Sequence, residues 1–153
     1  MAPITLNGPD ELRAAVGREL AVSDWHELSQ EEVARFAEVT GDDYWLHVDA
    51  QRAAQTPLGG TIVHGLFTLS LGPKFLSETF DVQGFGYALN YGYNKVRFTA
   101  PMPVGGRVRM RVQVIAADDV PGGIQITVLQ TFEREGAEKP VCVAEWVMRY
   151  LSA

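Results

Sequence analysis

Ile62-Val63-His64-Gly65-Leu66-Phe67-Thr68-Leu69-Ser70-Leu71-Gly72-Pro73-Lys74-Phe75-Leu76 is the stretch on which the fold turns. From Leu66 onward it is apolar on nearly every side, and a helix of that kind is buried rather than amphipathic. Gly72-Pro73 interrupts it, so a kink or an early end is expected there. After Gln83-Gly84 the pattern alternates: 87–91, 94–98, 107–116, 124–132 and 141–151 read as strands, separated by Pro- and Gly-rich turns. Successive long strands joined by short turns favour an antiparallel sheet. The only element apolar enough to cover such a sheet is the helix at 66–76. The expected architecture is α+β: one domain over residues 1–153, a curved antiparallel sheet wrapped around a central buried helix.

Upstream, 9–17 reads as a short helix with acidic residues at its start and Gly17 at its end. A broken alternation at 19–28 suggests a strand. Ser29-Gln30-Glu31-Glu32 is a capping-box pattern that starts a helix running to about Val39. Gly41 supplies its left-handed terminus, so a loop at 42–47 hangs directly from a helix end. Asp49 caps a further turn at 50–54, and 55–61, with Pro57, Gly59 and Gly60, is a loop.

Composition bounds the function classes. With 153 residues, 46% hydrophobic and 21% charged, the chain has the make-up of a globular domain with a real core. A net charge of −6 disfavours an extended nucleic-acid surface. No run approaches the roughly 20 apolar residues of a membrane span. The N-terminus lacks the basic and apolar regions of an export signal, and a single cysteine excludes an internal disulfide framework, so a cytoplasmic setting is expected. Cys142 lies in the apolar run Val141-Cys142-Val143-Ala144 and reads as a core residue.

The chemistry-bearing residues cluster in two segments. Asp42 and His47 stand five apart in the loop Gly41-Asp42-Asp43-Tyr44-Trp45-Leu46-His47. They read either as a turn aspartate and a half-buried polar group or as a proton-transfer pair. Tyr44 and Trp45 are costly in a mere turn and suggest a pocket wall. A metal site is the weaker functional reading, because His26 and His64 do not recur at ligand spacing. Gly65 stands where backbone N–H groups lack intrahelical partners, so it is either a simple helix start or an oxyanion donor. His64 reads as a supporting or core residue. Ser70 needs a hydrogen-bond partner, for which its own i−4 carbonyl suffices, and no serine-hydrolase elbow surrounds it. Arg107, Arg109 and Arg111 share one strand face, as do Lys95 and Arg97. Either group is a solvated face or a contact for a phosphate-bearing ligand.

In this order the residues resemble the MaoC-like family of hot-dog proteins, which includes the (R)-specific enoyl-CoA hydratases. Phe36-Ala37-Glu38-Val39-Thr40-Gly41-Asp42-Asp43-Tyr44-Trp45-Leu46-His47 carries the first motif. Ile62-Val63-His64-Gly65 carries the second, and Val96-Arg97-Phe98-Thr99-Ala100-Pro101-Met102-Pro103-Val104-Gly105 the third. Tyr44-Trp45 replaces the family's Asn-Pro and looks like the nodulation-protein-N-like branch. The resemblance implies a hydro-lyase that adds water to trans-2-enoyl-CoA to give (3R)-3-hydroxyacyl-CoA, with CoA part of the substrate and no cofactor. It implies Asp42 and His47 as the groups holding and activating water, Gly65 N–H as donor to the thioester oxygen, and Ser70 as a support for Asp42. Tyr44, Trp45 and Arg97 are the expected substrate contacts, and a homodimer follows from the fold. The rival readings are a hot-dog acyl-CoA thioesterase and a non-catalytic acyl-thioester binding protein.

Overall fold

The computed structural model describes residues 2–153; Met1 lies outside the described residues. The chain begins β1 (Ile4–Asn7), α1 (Gly8–Ala14), β2 (Glu19–Val22), β3 (His26–Glu27) and α2 (Gln30–Thr40). It continues through α3 (Trp45–Val48), α4 (Ala50–Ala54), α5 (Gly65–Ser70), α6 (Gly72–Thr79) and β4 (Phe80–Gln83). Four long strands complete it: β5 (Tyr87–Arg97), β6 (Arg107–Val120), β7 (Gly123–Arg134) and β8 (Cys142–Leu151).

The large sheet is antiparallel in the order β2-β6-β7-β8-β5, with β3 also on β6. Alternation along the strands sends one side chain in two to a single face. On β6 these are Val108, Met110, Val112 and Val114, and they register with the inward residues of β7, Met110 opposite Phe132 and Val114 opposite Val128. On β8, Ala144, Trp146, Met148 and Tyr150 continue the same face. Phe75 of α6 lies fully buried on it, 6.3 Å from the Phe132 ring. Helices on one concave face of an antiparallel sheet make the expected hot-dog arrangement.

The interruption expected at Gly72-Pro73 is present: the stretch 66–76 is two helices, with Leu71 between them and Pro73 in the first turn of α6. Pro73 tolerates that place because the first N–H groups of a helix have no intrahelical partner. At Gly72 a Cβ would stand 2.7 Å from Nε2 of the fully buried Gln130, so a side chain there would press on β7. Other local expectations are corrected. Helix α5 is not buried all round: Thr68 and Leu69 face inward, while Leu66 is 58% exposed and Ser70 faces solvent. The strand at 19–28 divides because Ser23 interrupts it, its Oγ accepting from Met110 N–H at 2.9 Å. The two segments at 87–91 and 94–98 are one strand, β5, with irregular register around Gly92 and Tyr93. A parallel pairing of β1 with β4 has no counterpart in the sequence reading.

Candidate active site

Local rules place the first chemical segment. Ser29 Oγ accepts from Glu32 N–H, and Glu32 Oε2 accepts from Ser29 N–H at 3.0 Å, so the capping box fixes the start of α2. Gly41 ends the helix at φ 77°, its N–H donating to Ala37 O at 2.9 Å. A left-handed backbone suits glycine because there is no Cβ to clash. Asp42 leaves this turn exposed. The segment expected as an open loop then closes into α3, one helical turn that carries His47 half-buried. Asp49 caps α4 by accepting from Arg52 N–H at 3.0 Å.

The second segment is tied to the first through two imidazoles. His47 Nδ1–H donates to Ile62 O at 2.8 Å, and His64 Nε2–H donates to Asp42 O at 2.8 Å. A carbonyl only accepts, so each bond dictates the tautomer: neutral His47 keeps its lone pair on Nε2, neutral His64 on Nδ1. The two rings stack with centroids 3.9 Å apart, and the Phe36 ring lies 4.8 Å from that of His64. Ile62 N–H returns to Leu46 O at 3.1 Å, and Val63 N–H bonds Met102 O at 2.8 Å, which joins the 101–103 loop to the same corner.

A cavity of about 410 Å³ opens here, lined by Asp42, His47, His64, Gly65, Phe98 and Met102 among others. At Gly65 a Cβ would stand 2.7 to 2.9 Å from the Phe98 ring, so only glycine lets that ring approach the start of α5. Phe67 and Thr68 N–H groups both donate to His64 O, which leaves the Gly65 N–H without a helical acceptor. The cavity therefore gathers a carboxylate, a bare imidazole nitrogen and a backbone donor. Ligand-type atoms of Asp42, His47 and His64 fall within 4.8 Å of one another, a spacing that one water spans. His64, which stands at no ligand spacing in the sequence, is thus brought beside Asp42 and His47 by the fold; backbone carbonyls take up His47 Nδ1 and His64 Nε2, so the nitrogens left over are His47 Nε2 and the buried His64 Nδ1.

Other expected site residues lie elsewhere. Ser70 does not touch Asp42; its Oγ–H donates to Leu66 O at 2.6 Å, the i−4 carbonyl, on the solvent side of α5. Tyr44 is 54% exposed and Trp45 lies under Arg52, 4.1 Å from guanidinium to ring centre, so neither walls the cavity. Arg97 is exposed and donates to the Val96 carbonyl at 2.7 Å, outside the cavity lining. The arginine stripe is structural: Arg109 and Arg111 both bond Glu133, at 2.8 and 3.0 Å, and Arg107 bonds Glu135. Phe98 and Met102, which the third motif contains without a role assigned to them, line the cavity, and so does Thr68, which no motif marks, since apolar and hydroxyl side chains carry no distinctive spacing signal.

Comparison with known proteins agrees with this arrangement. Residues 11–135 match the MaoC like domain family. The chain is 47% identical over 149 residues to the 3-hydroxyacyl-thioester dehydratase Z of Mycobacterium tuberculosis, covering 97% of this chain and 99% of that one. It is 33% identical to Nodulation protein N of Rhizobium leguminosarum, covering 90% and 87% of the two chains. Among solved structures it superposes on the (R)-hydratase from A. caviae involved in PHA biosynthesis with a TM-score of 0.71, 27% identity, and coverage of 88% and 99%. With a family match over most of its length and the hot-dog arrangement around this cavity, the chain belongs to the MaoC-like dehydratase family and is a hydro-lyase.

Proposed function

We propose that the chain catalyses the reversible addition of water to a trans-2-enoyl-CoA, giving the (3R)-3-hydroxyacyl-CoA, and needs neither a metal nor an organic cofactor. The observation that carries this reading is the presence of Asp42, His47 and Gly65 in the lining of one cavity.

The thioester carbonyl accepts from Gly65 N–H, which draws electron density from the conjugated double bond and makes C3 electrophilic. One water lies between the Asp42 carboxylate and His47 Nε2. The Ile62 carbonyl holds His47 in the tautomer whose Nε2 accepts, so the ring orients the water through one O–H. Asp42 takes the other proton as the water oxygen bonds to C3. The negative charge moves to the thioester oxygen as an enolate held at Gly65, and Asp42 returns the proton it took to C2, so that one H and one OH have been added and the carboxylate is restored. His47 could supply the C2 proton only from its imidazolium form. Loss of a proton-transfer group or of the oxyanion donor is expected to cost about 100-fold or more each.

The reading includes a homodimer. β5 ends the sheet, with its outer backbone edge open, and Tyr87, Leu89 and Tyr91 on one of its faces are 50 to 60% exposed. An open, apolar edge strand is a template for another strand, and a second copy would cover it. Arg97 at the end of the same strand, with Tyr44 and Trp45 outside the cavity, would then meet the CoA portion at or near the interface.

The deciding experiment is to follow the conjugated enoyl-thioester absorbance when the purified protein meets crotonyl-CoA and longer enoyl-CoAs, with a parallel thiol assay. Hydration without thiol release, lost in Asp42→Asn, supports the reading, and chiral analysis of the product decides its hand. No hydration at any chain length would sink it, and free thiol would mark a thioesterase.

A further inference from the structure

The catalytic imidazole is held by a residue outside all three motifs. Gln30 is the first residue of α2, half-buried beneath α3. Its Nε2–H donates to the His47 carbonyl at 2.8 Å, and its Oε1 accepts from Thr61 Oγ–H at 2.7 Å. Because the His47 carbonyl can only accept, the amide has one possible orientation. Thr61 is 8% exposed and precedes Ile62, whose carbonyl accepts from His47 Nδ1–H and whose N–H returns to Leu46 O. The bonds form a closed ring: Gln30 to the backbone of His47, the His47 ring to Ile62, and Thr61, beside Ile62, back to Gln30.

We propose that Gln30 and Thr61 form a latch that sets the position and rotation of the His47 imidazole, making Gln30 a positioning residue of the reaction. The inference rests on the reading of His47 given above and adds to it. Both ends of the amide are required. A side chain without a donor frees the His47 carbonyl, and one without an acceptor leaves the nearly buried Thr61 hydroxyl unpaired, which costs desolvation without return. Either change lets the Ile62 carbonyl and the His47 backbone shift relative to each other, and with them the ring. The capping box thereby gains a second use: by fixing where α2 begins, Ser29 and Glu32 fix where Gln30 stands.

Four variants test the latch: Gln30→Met, Gln30→Glu, Thr61→Val and Thr61→Ser. Gln30→Met keeps length without polar ends. Gln30→Glu keeps shape and the acceptor but loses the donor and sets a carboxylate against a carbonyl. Both should lower kcat about ten-fold or more with KM within about two-fold, since a displaced reacting group costs rate rather than binding. Thr61→Val should do the same and Thr61→Ser should restore activity, while Gln30→Met with Thr61→Val should cost no more than Gln30→Met alone. Imidazole NMR gives a readout independent of turnover. The His47 Nδ1–H resonance, hydrogen-bonded and slow to exchange in the parent, should shift and exchange faster in Gln30→Met. Parental kcat with an unchanged His47 resonance in Gln30→Met, or Thr61→Ser as damaging as Thr61→Val, overturns the latch. If the parent hydrates no enoyl thioester, the reaction assignment fails, and the His47 resonance alone still decides the latch.

Discussion

The imidazoles of His47 and His64 exchange hydrogen bonds across the two segments that carry them: the ring of each donates to a backbone carbonyl in the other's segment, and the rings stack at 3.9 Å with planes 26° apart. The exchange brings together residues 42–47 and 62–65, which are distant in sequence. It also divides labour between the rings. His47 has its bare Nε2 available toward the cavity, whereas His64, 2% exposed with its Nδ1 buried, is the brace.

This division separates two variants. Asp42→Asn alters an exposed carboxylate and should leave thermal stability unchanged while lowering the hydration rate about 100-fold or more. His64→Ala removes a buried ring, its bond to Asp42 O and the stack, so activity and stability should fall together. Truncating a buried ring costs roughly 2–5 kcal/mol, and in a chain of this length that lowers Tm by roughly 5–15 °C. Thermal melts beside the absorbance assay distinguish the two. An unchanged melt in His64→Ala would remove its bracing role.

Gly65→Ala should be damaging for a steric reason that a second change can relieve. The new Cβ would fall 2.7 Å from the Phe98 ring, inside any real carbon contact. Either the ring or the start of α5 must move, and a displacement near 1 Å at a reacting centre can cost about 100-fold in kcat. Phe98 is 49% exposed, so Phe98→Ala should be tolerated by the fold and should recover much of the lost rate in the double variant. No recovery would mean that the added methyl acts through α5 itself.

What is legible in the sequence divides by range. Ser29 with Glu32, Gly41 and Asp49 each act over no more than four positions, so side-chain chemistry alone places the ends of α2 and the start of α4. The strands of the main sheet are legible because a buried face imposes a period of two. The β1–β4 pairing is not: each strand has four residues, Leu6 and Phe80 are the buried side chains among them, and the partners are far apart in sequence. The i−4 partner of Ser70 is legible as local chemistry, whereas the place beside Asp42 that the resemblance implies depends on which way α5 faces, and a helix apolar on most sides does not encode that. The aromatic pair Tyr44-Trp45 signals a built surface but not which one. Gln30 and Thr61, 31 residues apart, are joined by the fold alone.

The open edge of β5 makes the oligomer testable without any ligand. Leu89, 50% exposed and opposite Arg149 on β8, sits on the same face as Tyr87 and Tyr91. Leu89→Glu leaves the buried core of the chain untouched and should convert the proposed dimer to a monomer in sedimentation velocity. If the CoA site draws on both copies, KM for the enoyl-CoA should rise in step. A parent that sediments as a monomer at micromolar concentration would refute the dimer and confine the site to one chain.

Glu133 gives the chain an acid-sensitive contribution to stability away from the cavity. Burial is the largest single influence on its carboxyl and pushes the pKa up, but the hydrogen bonds and charges of Arg109 and Arg111 together outweigh it, and the net shift is downward. A carboxyl with a lowered folded-state pKa stabilises the fold above its unfolded value, near 4.3, and loses that contribution as pH falls through the folded value. The group is 25% exposed, so its pairing should contribute about 1 kcal/mol. At pH 7, Glu133→Gln should therefore melt roughly 2–4 °C below the parent. The gap should close as pH falls through the lowered folded-state value, where the parent's carboxyl also takes up a proton and the two arginines lose their counter-charge. Thermal melts of both proteins between pH 3 and 8 check the sign directly. A gap that widens on acidification would mean that burial, rather than the arginines, governs Glu133.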